Sequence, residues 1–167
     1  MDLKGLILFD IDGVIRDVSS SYRLAIKKTV SKFCSWEPTF KHIDNLKAEG
    51  IWNNDWDASL ELIRRHRKSN NLSIQNPSRK EIVEIFNDFY FGGDPTGSPS
   101  QWEGLIKNET LLVNQNFFNE LTTERLGWGF VSGAEFSSAK FVLETQLGLN
   151  NPPLIAKGDA PDKPDPT

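Results

Sequence analysis

Four apolar residues in succession, Leu6-Ile7-Leu8-Phe9, run directly into Asp10-Ile11-Asp12-Gly13-Val14. An apolar run without alternation reads as a strand buried on both faces, the habit of parallel sheets covered by helices. Two further strands are predicted late in the chain. Gly127–Val131 is followed by the turn Ser132-Gly133-Ala134 and a helix carrying Phe136, Ala139, Leu143 and Leu147, stopped by Gly148. Leu154–Ala156 is the third, and Asn114–Leu121 reads as a helix ahead of the second.

Between these parts the periodicity is helical. Ser20 or Ser21 is placed to cap a helix with Tyr22, Ile26, Val30 and Phe33 along one stripe. Thr39 opens a second helix closed by Gly50, Asp55 a third and Ser78 a fourth, the last stopped by Gly92-Gly93-Asp94-Pro95. Residues 92–101 (GGDPTGSPSQ) form the clearest linker. Strand–helix alternation on both sides of a helical stretch predicts an α/β fold, a doubly wound parallel (Rossmann-like) sheet with an inserted helical cap. The expected boundaries are 1–16 and 101–167 for the sheet domain and 17–100 for the cap. With 167 residues the chain is long enough for one domain with such an insertion.

Charge narrows the function classes. Nineteen basic against 23 acidic side chains give a net charge of −4, which offers no electrostatic reason to bind nucleic acid or an anionic membrane. The basic run Arg64-Arg65-His66-Arg67-Lys68 reads as a solvated face near a helix C-terminus. His42 and His66 lack metal-ligand spacing with each other or with Cys34. The absence of a long apolar segment and the single cysteine, which excludes an intrachain disulfide, set the expectation of a cytoplasmic protein. Five Trp, two Tyr and eleven Phe mean that rings must supply much of the core.

The polar residues that carry chemistry stand at the predicted strand ends. In extended chain, residues two apart point the same way, so Asp10 and Asp12 leave the first strand toward one site while Ile11 turns into the core. Gly13 permits the sharp turn that follows. Two carboxylates outside the carboxyl end of a sheet strand can divide labour, one as nucleophile or metal ligand, one as proton carrier. Ser132-Gly133 places a hydroxyl and free N–H groups after the second strand, where a phosphate is favoured. Lys163, between Asp162 and Pro164, offers an ammonium. Taken singly, each has a plainer reading: a polar turn, a helix cap, a solvated tail.

Taken in order, Asp10-Ile11-Asp12-Gly13-Val14, Ser132-Gly133 and Lys163-Pro164-Asp165-Pro166 resemble the haloacid dehalogenase-like hydrolase superfamily, in its phosphatase branch with a helical cap between the first and second motifs. The resemblance implies Asp10 as nucleophile, forming an aspartyl-phosphate, and Asp12 as general acid and then base. It implies Ser132, Gly133 and Lys163 as the phosphate-binding set, and Mg²⁺ held by the Asp10 carboxylate and the Asp12 backbone carbonyl. The expected activity is hydrolysis of a small phosphate monoester, the partner being a phosphorylated metabolite, with the cap acting as a lid. Dehalogenase members resemble Asp-x-Tyr where this chain has Asp12, which favours a phosphatase.

One departure qualifies this expectation. The superfamily's fourth motif, an acidic pair, should follow Lys163, and the chain ends four residues later, so the sequence reads as truncated, with the Asp10 strand left as an open edge. A phosphate- or metabolite-binding module without turnover and a phosphoryl-transferring mutase of the same fold are the alternatives. For substrate specificity the candidates are Arg16, with Arg23 beside it in role, and the amides Asn53 and Asn54 of the Trp52–Trp56 loop.

Overall fold

The structure is a computed structural model that describes residues 2–161. It divides into two compact units, one formed by the chain up to Val18 together with the chain from Glu109 onward, the other by Ser19–Asn108.

The first unit is built on a parallel sheet of β1 (Gly5–Phe9), β4 (Leu126–Val131) and β5 (Leu154–Ile155), in the order β1-β4-β5. Phe9 lies opposite Phe130, and Val131 opposite Ile155. Helix α5 (Gln115–Thr123) precedes β4; helix α6 (Phe136–Lys140), continued by a π-helical stretch over Phe141–Gln146, joins β4 to β5. Both crossovers step the same way along the sheet, and crossovers of one hand then deliver their helices to one face. That face is aromatic. Phe9, Trp128 and Phe130 meet Phe117 and Phe118 of α5 at ring separations of 5.0–5.8 Å where they cross the interface. Ile11, Ile15, Ala139, Val142, Leu143, Leu147 and Leu149 are buried in the same cluster.

The opposite face is bare. Leu6 and Leu8 are 66% and 61% exposed, and Ile155 is 46% exposed. Beside Leu6 and Leu8, β4 carries Gly127 and Gly129, with Val131 next to Ile155. The expectation of burial on both faces of the first strand is therefore corrected: among the described residues no helix covers this side, and β1 pairs with β4 alone. The α/β class with a parallel sheet is as expected.

Between β1 and α5 the chain leaves through β2 (Arg16–Asp17) and returns through β3 (Thr110–Leu111). These pair antiparallel, Arg16 opposite Leu111 and Asp17 opposite Thr110.

The second unit is helical. Helices α1 (Tyr22–Phe33), α2 (Phe40–Lys47), α3 (Asp55–Ser69) and α4 (Arg79–Phe91) bury Ile26 and Val30, Ile43 and Leu46, Leu62 and Ile63, and Ile82 and Phe86. Capping follows the sequence closely. Thr39 with His42 and Ser78 with Glu81 form capping boxes, and Gly92 closes α4 in the left-handed conformation. Ser21 stands at the α1 N-cap without a side-chain cap bond. At α3 the cap is Asn54, not Asp55.

The unit boundary also departs from expectation. Residues 92–108 are not a linker but fold back onto α4. Trp102 is buried against Phe91 and donates through Nε1 to the Asp94 carbonyl at 2.8 Å, and the Gly104 N–H donates to the Phe91 carbonyl at 2.8 Å. A Cβ on Gly104 would collide with the Tyr90 carbonyl and the Gly92 nitrogen, so glycine is what lets the two backbones meet. The sequence break therefore falls at Asn108, after the turn Leu105–Asn108.

Candidate active site

At the end of β1 the chain winds into a tight turn. The Ile11 carbonyl accepts from the N–H groups of Val14, Ile15 and Arg16, at 3.3, 2.8 and 3.1 Å, while the Gly13 N–H donates to the Arg16 carbonyl at 2.8 Å. Gly13 has φ +79°, the left-handed value that closes such a turn. Ile11 and Ile15 point into the core and are fully buried. The turn is thereby pinned from inside, while Asp10 and Asp12 keep part of their surface in solvent. Asp10 is exposed, with Oδ1 accepting from the Ile11 N–H at 2.9 Å.

Asp12 is held by Arg16, whose Nε donates to Asp12 Oδ1 at 2.6 Å. The Asp12 side chain keeps 23% of its surface; that of Arg16 keeps none. The other guanidinium nitrogens bond Glu109, whose side chain is also fully buried, and Ser138 Oγ at 3.1 Å. Arg16 is thus not presented to a substrate, which corrects its assignment as a specificity residue: its charge is spent inside the sheet unit.

Neighbouring parallel strands lie about 4.8 Å apart. The register that sets Phe9 opposite Phe130 therefore brings the residues after β1 and β4, Asp10 and Asp12 with Ser132 and Gly133, to the same end of the sheet. Ser132 is buried; its N–H donates to the Ile155 carbonyl at 2.9 Å and its Oγ accepts from the Ala134 N–H at 3.1 Å. The hydroxyl closes the turn and does not cap the helix, whose N-cap is Glu135 without a side-chain cap bond, and it keeps its proton to donate. Gly133 is exposed and a Cβ there would meet nothing within 4 Å, so open space lies over this turn. Lys163 lies outside the described residues. A cation the sequence did not single out, Lys157, follows β5 and pairs with Glu135 at 2.9 Å; the signal was its place just past the third strand.

A divalent cation was implied at Asp10 and Asp12. Among the described residues no group of three or more His, Cys, Asp or Glu side chains is placed to hold a metal. The donors that the resemblance implies are the Asp10 carboxylate and the Asp12 backbone carbonyl. Two hard oxygens suit Mg²⁺, which binds through one or two carboxylates and retains several waters.

In the helical unit the amides are structural or solvent-facing. Asn54 Oδ1 accepts from the N–H groups of Trp56 and Asp57, at 3.0 and 3.2 Å, so the side chain assigned to specificity is committed to capping α3. Asn53 is exposed, with Nδ2 directed to the Gly50 carbonyl. Arg23 pairs with Asp44. In the basic run Arg64, Arg65 and Lys68 are exposed, His66 is half-buried and stacked on Trp36, and Arg67 is buried and bonds the carbonyls of Phe33 and Gln75, both at 2.7 Å. No helix among the described residues is long and apolar enough to cross a membrane.

No protein-family model matches this chain. It is 32% identical over 164 residues to a Phytophthora nicotianae protein named imidazoleglycerol-phosphate dehydratase, an alignment covering 96% of this chain and 34% of that protein; the chain spans about a third of that relative's length. Three solved structures share its architecture. Phosphatase Tt82 from Thermococcus thioreducens superposes with a TM-score of 0.69 at 22% identity, covering 96% of this chain and 75% of that one. A hydrolase from Pseudomonas syringae gives 0.59 at 15% identity, covering 96% and 64%. A predicted phosphoglycolate phosphatase from Haemophilus somnus gives 0.61 at 13%, covering 95% and 63%. With the carboxylate turn after β1 and the Ser-Gly turn after β4, these likenesses establish the architecture: the chain has the haloacid dehalogenase-like hydrolase fold.

Proposed function

We propose that this chain belongs to an enzyme that hydrolyses a small phosphate monoester through an aspartyl-phosphate. The supporting observation is the turn after β1, which presents an exposed Asp10 and a tethered Asp12 at the sheet end shared with Ser132. In this reading an Asp10 carboxylate oxygen attacks phosphorus, and the bond to the leaving oxygen breaks with its electron pair. Asp12 donates a proton to that oxygen as it leaves. Asp12 then takes a proton from the water that attacks the aspartyl-phosphate, releasing inorganic phosphate and restoring the Asp10 carboxylate. Ser132 Oγ and the Gly133 N–H are proposed to bind the phosphoryl oxygens, with Lys163 as the third partner. Such chemistry depends mainly on positioning and on neutralising equatorial charge. Mg²⁺ at the Asp10 carboxylate and the Asp12 carbonyl would supply part of that neutralisation.

The test is turnover of a panel of phosphate monoesters with Mg²⁺ by the purified protein, followed as phosphate release. The panel includes an aryl phosphate, simple alkyl phosphates and imidazoleglycerol phosphate, the monoester in the name of the Phytophthora protein. Asp10→Asn should abolish release, and Asp12→Asn should lower it by about 10²–10⁴. Release undiminished by Asp10→Asn would refute the proposal. Transfer of the phosphoryl group to a second hydroxyl, without free phosphate, would identify a mutase instead.

A further inference from the structure

We propose that Arg16 is the positioning residue of the Asp12 carboxyl, held in that task by Glu109 and Ser138; the inference rests on the hydrolase reading above. Arg16 has a fully buried side chain and directs its three nitrogens to three partners: Nε to Asp12, one terminal nitrogen to Glu109, the other to Ser138. Glu109, equally buried, already balances the guanidinium charge, and Ser138 occupies the remaining direction. Charge balance therefore does not require Asp12. Nor does Asp12 require Arg16 for solvation, because part of its side chain meets solvent. What the 2.6 Å bond adds is direction.

A guanidinium is a planar, rigid fork, so fixing two of its corners fixes the third. Glu109 stands 93 residues from Arg16 and Ser138 a further 29 beyond it, one at the entry to β3 and one in α6. The orientation of Asp12 is thus referred to two other parts of the unit and not left to a strand-end rotamer. One carboxyl oxygen is engaged by Arg16; the other is the one that carries the proton to the leaving group. Misplacing a reacting group by about 1 Å can cost on the order of 10² in rate.

The experiment compares two monoesters that differ in their need for protonation. A 4-nitrophenolate leaves unaided, whereas an alkoxide needs the proton from Asp12. In Arg16→Met/Glu109→Met the buried pair is replaced by apolar side chains of similar length, so no buried charge is orphaned. We expect its kcat on an alkyl phosphate that the unaltered protein turns over to fall by about 10², with KM little changed and a loss on 4-nitrophenyl phosphate of roughly tenfold or less. Arg16→Lys should show the same bias, because an ammonium cannot span the three partners. Ser138→Ala should show it in weaker form, and keeps the question open to test if the double variant does not fold. Equal losses on both esters, or an unaltered kcat in the folded double variant, would overturn the proposal. If the unaltered protein hydrolyses neither ester, the hydrolase reading itself fails and this inference falls with it.

Discussion

Two arginines in this molecule each gather two carboxylates, in opposite surroundings. Arg16, in the sheet unit, has no accessible side-chain surface; Arg65, in the helical unit, keeps 47% while bonding Glu49 through both terminal nitrogens and Glu61 through Nε. The exposed cluster still perturbs its members. Arg65, and then the Trp52 Nε1–H, hold the Glu49 carboxyl down at about 2. Yet water and salt screen such a cluster. The buried cluster is different because each partner has been taken out of water and must be met in a fixed direction. The same chemistry therefore decorates one unit and orients the other.

The sharpest way to break this contrast is to truncate each arginine in turn. Arg16→Ala breaks the buried pair with Glu109 and should destabilise the sheet unit by about 3–5 kcal/mol in urea unfolding. A loss no larger than that of Arg65→Ala would erase the distinction drawn between them.

A smaller effect is expected at Asn54, read from sequence as a substrate contact and found capping α3. Asn54→Ala should cost about 1 kcal/mol of stability, again by urea unfolding. A change in KM on a turned-over ester without that loss of stability would restore the specificity reading.

The smallest concerns Glu49. Because its folded value lies below the usual 4.5, its contribution to stability is present above that value and is lost as pH falls through about 2. In Arg65→Met, NMR titration of the Glu49 carboxyl should return it toward 4.5, with little change in the unfolding midpoint at neutral pH. A carboxyl that stays near 2 would show that Arg65 is not its cause.

How far the sequence could be read depended on the range of the interactions. Local signals carried through: Thr39 and Ser78 as caps, Asn114 ahead of α5, the strand end at Asp10, and the Ser132 turn. At Asn54 the reading slipped by one residue, because Asn and Asp are equally good caps in succession. The contacts that correct the expectations are distant ones. Nothing near Arg16 announces Glu109, and a Gly-Pro-Ser stretch gives no sign that Trp102 and Gly104 turn back onto α4. Leu6-Ile7-Leu8-Phe9 shows apolar character without saying which face is covered; the glycines of β4 and the common direction of the two crossovers decide that.

The pairing of β2 with β3 has an architectural consequence. Where the helical unit departs and where it rejoins, the backbone is a ladder of neighbours, Asp17 beside Thr110. The sheet unit thus offers a socket with two adjacent terminals, into which a different insert of any length could be wired. Glu109 lies on the socket's side of that seam. An exchange confined to Ser19–Asn108 would bring new surface to the protein while leaving the counter-charge of Arg16 in place.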